Sequence, residues 1–177
     1  MVTFIEYNEK YKEKIFNFIY NTMQKELNIE KSLLDKITID LKNINKNYIS
    51  KNGQMWLAVD NTNDTVIGTI SIIENEKGIG ELKRFYVERE YRDKKIGYAL
   101  YTIAEEYSIY KNFNALYLAS GAELKKAHEF YEKNGWIKVN KELENVNIFV
   151  RAKAYLYKKD LKEEIFNRYE KLLNKVC

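Results

Sequence analysis

Residues 92 to 97 read Arg92-Asp93-Lys94-Lys95-Ile96-Gly97, with three cations and one glycine in six positions. The run lies between a strand-like segment, Glu81 to Val87, and an amphipathic segment with helical spacing that begins near Ile96. A short basic loop between a strand and a helix start is an arrangement for holding phosphate. The first backbone N–H groups of a helix have no intrahelical partner, and the helix dipole adds positive potential there. A pyrophosphate takes such N–H groups as donors. Arg92, Lys94 and Lys95 add charge-assisted contacts at the rim.

The elements that must position this loop are legible as periodicity. Val2 to Tyr7 reads as a strand. Asn8 is an N-cap for a helix whose apolar residues Tyr11, Ile15, Phe18, Ile19 and Met23 recur at helical spacing. Ser32 with Asp35 suggests a capping box, and Leu34, Ile37, Leu41, Ile44 and Tyr48 continue a second helix. Met55 to Asp60 and Thr65 to Ile73 are strands joined by the turn Asn61-Thr62-Asn63-Asp64. Glu74 to Gly78 turns into a third strand, Ile79 to Val87. Ile96, Ala99, Leu100, Ile103, Ala104 and Tyr107 form the stripe of the next helix, and Ala115 to Ala119 is a short buried-type strand. Strand, helix, strand at this spacing predicts a parallel crossover. A helix over about Ala122 to Asn134 stops at Gly135. Trp136 to Val139 and Asn147 to Tyr157 then close as an antiparallel pair. Lys158 to Val176 predicts a last helix with Leu161, Ile165, Tyr169, Leu172 and Val176 on one face.

The loop, the element order and the downstream string Ala127 to Trp136 (AHEFYEKNGW) together resemble the GNAT acetyltransferase superfamily, over roughly Val2 to Tyr157. The family's loop is usually written [RQ]-x-x-G-x-[GA] after a strand ending in YV or VV. Phe85-Tyr86-Val87 fills the strand end, Arg92 the first motif position and Gly97 the last. Lys95 stands where the middle glycine usually is, and a helical backbone there would still present its N–H.

The resemblance implies an α+β or α/β fold with a mixed, mostly antiparallel sheet of about seven strands flanked by helices. It implies a domain over 1–157 and a helical extension over 158–177, packed on the domain or at a homodimer interface. It also implies acetyl-CoA as co-substrate, a small-molecule primary amine as acceptor, and direct transfer. A protein or peptide amine, or a non-catalytic acyl-CoA-binding regulator, is the alternative.

The same resemblance assigns sites. Phe85, Tyr86 and Val87 would hydrogen-bond the pantetheine arm through their backbone. Arg92, Asp93, Lys94, Lys95, Ile96, Gly97 and Tyr98 would hold the phosphates, with Ser120 and Ala127 as further cofactor contacts. Leu124 stands where the family often has an asparagine. Tyr131 matches the family's general acid, a phenol that protonates the departing sulfur, although Leu124, Ala127 and Tyr131 share a face and core packing explains the spacing equally well. Glu81 matches a glutamate base of some members, against a surface role at a strand start. Lys83 and Arg84 are charges in a central strand, where a charge needs a cleft or a partner. Either an acceptor group or a salt bridge to a neighbouring helix satisfies them. His128, the sole histidine, is expected to face solvent.

Composition narrows the classes. The chain has 177 residues, one cysteine (Cys177) and no proline. A single cysteine excludes an intrachain disulfide framework, and no His–carboxylate spacing suggests a metal. Net charge is +4 from 30 basic and 26 acidic residues, and these are interleaved rather than clustered, which argues against nucleic acid. No apolar run reaches the roughly 20 residues that span a bilayer. Met1-Val2-Thr3-Phe4 does not open a signal peptide, so a cytoplasmic location is expected.

Overall fold

A computed structural model of the chain describes residues 1–27, 29–142, 144, 146–148 and 153–176. Seven strands form one sheet in the order β1 (Val2–Glu6), β2 (Gln54–Asp60), β3 (Thr65–Glu76), β4 (Ile79–Val87), β5 (Ala115–Gly121), β7 (Ala154–Asp160), β6 (Ile137–Val139). The β4–β5 pairing is parallel, and β1–β2, β2–β3, β5–β7 and β6–β7 are antiparallel. The expected mixed, mostly antiparallel sheet is the one found. The chain divides into two compact units, Met1–Ile73 with Leu82–Glu106, and Glu74–Glu81 with Tyr107–Cys177.

In the first unit, Asn8 accepts from the Lys10 N–H at 3.1 Å and caps a 3₁₀ turn that leads into helix α1 (Lys12–Leu27). The buried residues of α1 (Ile15, Phe18, Ile19, Thr22 and Met23) repeat at three and four. This apolar stripe packs into a cluster with Leu34, Leu41, Ile44, Tyr48, Met55, Leu57 and Val66. Burying each large aliphatic side chain is worth about 1.5–3 kcal/mol.

The expected second helix is broken. It becomes α2 (Lys31–Ile37), a 3₁₀ stretch at Ile39–Asn43, the short α3 (Ile44–Asn47) and a 3₁₀ turn at Ile49–Lys51. Side chains that compete for backbone groups cause the breaks. Thr38 Oγ1 donates back to the Leu34 carbonyl at 2.8 Å, and Asn43 caps a new start by accepting from the Lys46 N–H at 2.9 Å. Ser32 is not the cap of α2. Glu30 occupies that position without a side-chain hydrogen bond, and Asp35 accepts from the Tyr20 hydroxyl instead.

The turn expected at Glu74–Gly78 shrinks to Lys77-Gly78, because β3 runs on to Glu76. Helix α4 (Ile96–Tyr110) begins where its apolar stripe predicts, with Ile96, Leu100 and Ala104 buried.

In the second unit, α5 (Lys125–Lys133) ends in a Schellman motif. The Gly135 N–H donates to the Glu132 carbonyl at 3.2 Å and the Trp136 N–H to the Tyr131 carbonyl at 3.1 Å. Gly135 has φ +81°, the left-handed conformation such a stop requires. Lys159, 4% exposed, donates to the Asn134 carbonyl at 2.6 Å and places a cation at the negative end of that helix.

Of the expected strand at 147–157, residues 149–152 lie outside the described ones, and β7 extends to Asp160. Asp160 then caps α6 (Leu161–Val176) by accepting from the Lys162 and Glu163 N–H groups. On the expected face of α6, Leu161 is buried but Ile165 is 44% exposed. The side chains of Tyr169, Leu172 and Val176 lie outside the described ones.

Candidate active site

The basic loop forms a 3₁₀ turn over Arg89–Lys94, then the single left-handed residue Lys95, then α4. Lys95 has φ +60° and ψ +9°. This corrects the expectation of a right-handed backbone at the position. The family's glycine spot is left-handed here, and an L-residue in it carries about 1–2 kcal/mol of steric cost.

Arg92 does not simply project to the rim. Its Nε donates to the Val87 carbonyl at 3.0 Å, and its guanidinium pairs with Glu26 of α1. The loop is thereby tied to the end of β4. Lys94 rests over the Tyr91 ring at 4.4 Å, and the Tyr91 hydroxyl donates to Asp60 at 2.7 Å. Asp93, Lys94, Lys95 and Tyr98 are exposed.

A methyl group built at Gly97 would meet Val87 Cγ2 at 3.5 Å and Phe85 Cζ at 3.6 Å, ordinary contact distances. The fold therefore tolerates alanine at this position. Tyr86 packs its ring against the α1 core. A cleft of about 620 Å³ between α1 and the β2–β3 turn reaches Glu88–Glu90, and three of its charged residues are paired, Lys14 with Asp64 and Glu26 with Arg92 outside it.

Arg84 resolves the question of charge in β4. Its Nη2 lies 2.6 Å from Asp40 and 2.5 Å from the Ile37 carbonyl, its Nε donates to the Tyr48 hydroxyl at 3.0 Å, and its Nη1 lies 3.7 Å from Met23 Sδ. The ion pair to a neighbouring helical segment is the arrangement present, with 10% of the arginine side chain exposed. Burial raises the Tyr48 phenol pKa well above its ordinary value, so Tyr48 stays a donor to Asp40 at 2.5 Å. Arg84 itself has φ +54° within a strand. Two buried hydroxyls of β3 serve the carbonyls there: Thr69 donates to Arg84 O at 2.7 Å and Ser71 to Lys83 O at 2.9 Å.

The second unit holds the other assigned residues. Glu81 is 8% exposed, which removes the reading of a surface glutamate. Tyr131 is 6% exposed, and its ring lies 6.0 Å from Trp136 and 5.8 Å from Tyr157. Ser120 is 5% exposed, and its Oγ has no hydrogen-bond partner. His128 does not face solvent as expected. Its ring sits 5.3 Å from Tyr155 and 5.6 Å from Tyr157, with Nε2 buried and unpaired. Ala127, half-buried, is on the same helix.

The first unit thus gathers Phe85, Val87, Arg92 and Gly97, and the second gathers Ser120, Ala127, His128 and Tyr131. Missing from the sequence reading are Glu26, Thr69, Ser71 and a cluster of Tyr117, Glu144 and Lys158. Their partners are 12 to 66 residues away, beyond the reach of local spacing. Among the described residues, no group of three or more His, Cys, Asp or Glu is placed to hold a metal ion, and no helix is long and apolar enough to cross a membrane.

A strand end, a basic loop with an open glycine and a following helix are the elements of an acyl-CoA site. A family model, the acetyltransferase (GNAT) family, matches residues 16–136. The chain belongs to the GNAT family. It is accordingly an acetyl-CoA-dependent N-acetyltransferase by family. A GNAT-family acetyltransferase from Staphylococcus aureus Mu50 has a similar structure, with TM-score 0.81 and 29% identity over 91% of this chain and 99% of that one. The PaiA N-acetyltransferase from Thermoplasma acidophilum, solved with coenzyme A, has TM-score 0.69 at 17% identity over 90% and 99%. A chimera of the spermidine N-acetyltransferase SpeG from Vibrio cholerae and hSSAT has TM-score 0.66 at 20% identity over 93% and 98%. No curated protein matches the chain.

Proposed function

We propose that this GNAT enzyme moves the acetyl group of acetyl-CoA directly to a primary amine of a small molecule. The supporting observation is the start of α4. Exposed lysines flank it, Arg92 braces its loop against Val87, and a glycine stands where the fold itself would accept a methyl.

Acetyl-CoA, when bound, supplies an activated thioester carbonyl. The chain's own residues do the rest. The first N–H groups of α4 hold the pyrophosphate, with Lys94 and Lys95 at its rim. The backbone of Phe85 to Val87 orients the pantetheine arm. Glu81 takes a proton from the acceptor ammonium, and the Tyr131 hydroxyl gives one to the departing sulfur. Of the two β4 cations assigned to the acceptor, Arg84 is bound within the protein, and the assignment rests with Lys83. The small-molecule acceptor accords with the spermidine acetyltransferase among the fold relatives.

The test has two arms. In the first, coenzyme A raises the melting temperature of the wild type, by about 2.7 kcal/mol of stabilisation at a hundredfold excess over Kd. Gly97→Ala keeps the fold and loses most of that shift. In the second, thiol release from acetyl-CoA is followed with amino acids, polyamines, aminoglycosides and a lysine-containing peptide. Release with the small amines supports the reading. Release with the peptide alone would transfer it to protein acetylation, and no release with any of them would leave a CoA-binding regulator.

A further inference from the structure

On one face of the second unit four titratable groups stand in a row, and three of them have no place in the site described above. Glu81 of β4 and Tyr117 of β5 are direct register partners in the parallel pairing. Side chains of directly paired residues lie on the same face. Two neighbours confirm the parity. Ile79, two residues before Glu81, packs into the cluster that contains Tyr117 and Ala115. Gly80, between them, faces the other way, where an added methyl would meet Leu116 and Phe113.

From Tyr117 the row continues outward. The Tyr117 hydroxyl donates to Glu144 Oε2 at 2.5 Å. Lys158, the register partner of Tyr117 on β7, donates to the same oxygen at 3.2 Å. The inner two groups are buried and the outer two reach solvent. Glu81 is 8% and Tyr117 3% exposed, whereas the side chains of Glu144 and Lys158 are 20% and 30% exposed.

We propose that Tyr117 and Glu144 form a proton exit for Glu81, carrying the acceptor amine's proton from the buried base to solvent. This rests on the reading of Glu81 as the base. Each transfer balances. The acceptor ammonium gives H⁺ to the Glu81 carboxylate. Glu81 passes a proton to the Tyr117 oxygen while the phenol's own proton moves to Glu144 Oε2. Glu81 is again a carboxylate, Tyr117 again a phenol, and Glu144 releases H⁺ to water.

The ammonium of Lys158 favours that last step, because a cation at 3.2 Å disfavours a protonated Glu144. The hydrogen bond from Tyr117, then that from Lys158, hold Glu144 below the usual carboxylate range, so it does not retain the proton. Burial, then the bond to Glu144, pushes the Tyr117 phenol up, so the bridge stays protonated at rest. Glu81, Glu144 and Lys158 are the charged groups on this row.

The test reads the coupling itself and needs no acceptor. The protein is labelled with ¹³C at glutamate carboxyls, and Glu81 is assigned with the Glu81→Gln variant. Glu144→Gln is expected to lower the titration midpoint of Glu81 by about one pH unit, the size that marks coupled sites. In a Tyr117→Phe background the same replacement is expected to move it by less than about a third of that. An equal shift in both backgrounds would mean a through-space charge effect and overturn the relay, as would no shift in either. Near-unchanged melting of Tyr117→Phe guards against misfolding. Glu81→Gln assayed against the amine panel tests the underlying base separately, since full turnover there removes the base by a different result.

Discussion

Trp136 holds Tyr131 twice: its N–H donates to the Tyr131 carbonyl at 3.1 Å, and its ring lies 6.0 Å from the Tyr131 ring. Both contacts depend on the chain reversing at Gly135 with φ +81°. Gly135→Ala is therefore expected to cost about 1–2 kcal/mol by urea denaturation, the steric cost of a left-handed L-residue. Acetyl transfer should fall with it, because the reversal sets the tyrosine's position. Unchanged stability would show that the turn tolerates a side chain.

Tyr131→Phe removes one oxygen and keeps the ring among Trp136 and Tyr157. Turnover is expected to fall about 10²–10⁴-fold, the usual contribution of a positioned proton donor. Affinity for coenzyme A by calorimetry and the melting temperature should stay near wild type, because the lost interaction belongs to the transition state. Full activity in this variant would return Tyr131 to the core.

Lys95 provides a backbone test. Glycine at this left-handed position relieves the steric cost but gains freedom in the unfolded chain, so Lys95→Gly should match or slightly exceed the wild type. Lys95→Val, β-branched, should lose at least about 1 kcal/mol. Equal melting of all three proteins would contradict the left-handed backbone.

Arg84 and Asp40 form a partly buried pair. Asp40→Asn leaves the guanidinium short of its counter-charge and should cost about 3 kcal/mol. That is the low end for such pairs, because Asp40 keeps 26% exposure. Arg84→Lys should also lose stability, since an ammonium cannot reproduce the fork to Tyr48, Ile37 and Asp40. Denaturant midpoints measure both.

Asp60 predicts a pH effect. The Thr62 backbone N–H, then the Tyr91 hydroxyl, lower its pKa to about 2. A depressed carboxylate contributes stability that is fully present above its unfolded value of about 3.9 and is lost as pH falls through about 2. Asp60→Asn should therefore melt below wild type at pH 6. The gap should close between about pH 4 and pH 2, where a constant gap would exclude the linkage.

Legibility in the sequence followed the range of the forces involved. The α1 stripe, the start of α4 at Ile96 and the stop at Gly135 are set within a turn or two of chain, and each lies where its spacing places it. The second helix carried correct apolar residues (Leu34, Leu41, Ile44 and Tyr48 are all buried), but its continuity failed to local competitors at Thr38 and Asn43. The partners of Arg84 come from 36 to 61 residues away, so sequence could pose the choice between acceptor and salt bridge but not decide it. The burial of His128 between two tyrosines of β7 and the pairing of Tyr117 with Glu144 depend on the same kind of distant register.

The ammonium of Lys159 ends α5 at Asn134 and also lies 3.5 Å from Glu164 of α6. One charge therefore belongs to two helices: the one bearing Tyr131 and the last one in the chain. For anyone trimming this enzyme or grafting its final helix elsewhere, α6 is not a detachable module. Removing it would take the Glu164 carboxylate away from a buried ammonium, and the disturbance would appear first at the end of the helix that bears Tyr131.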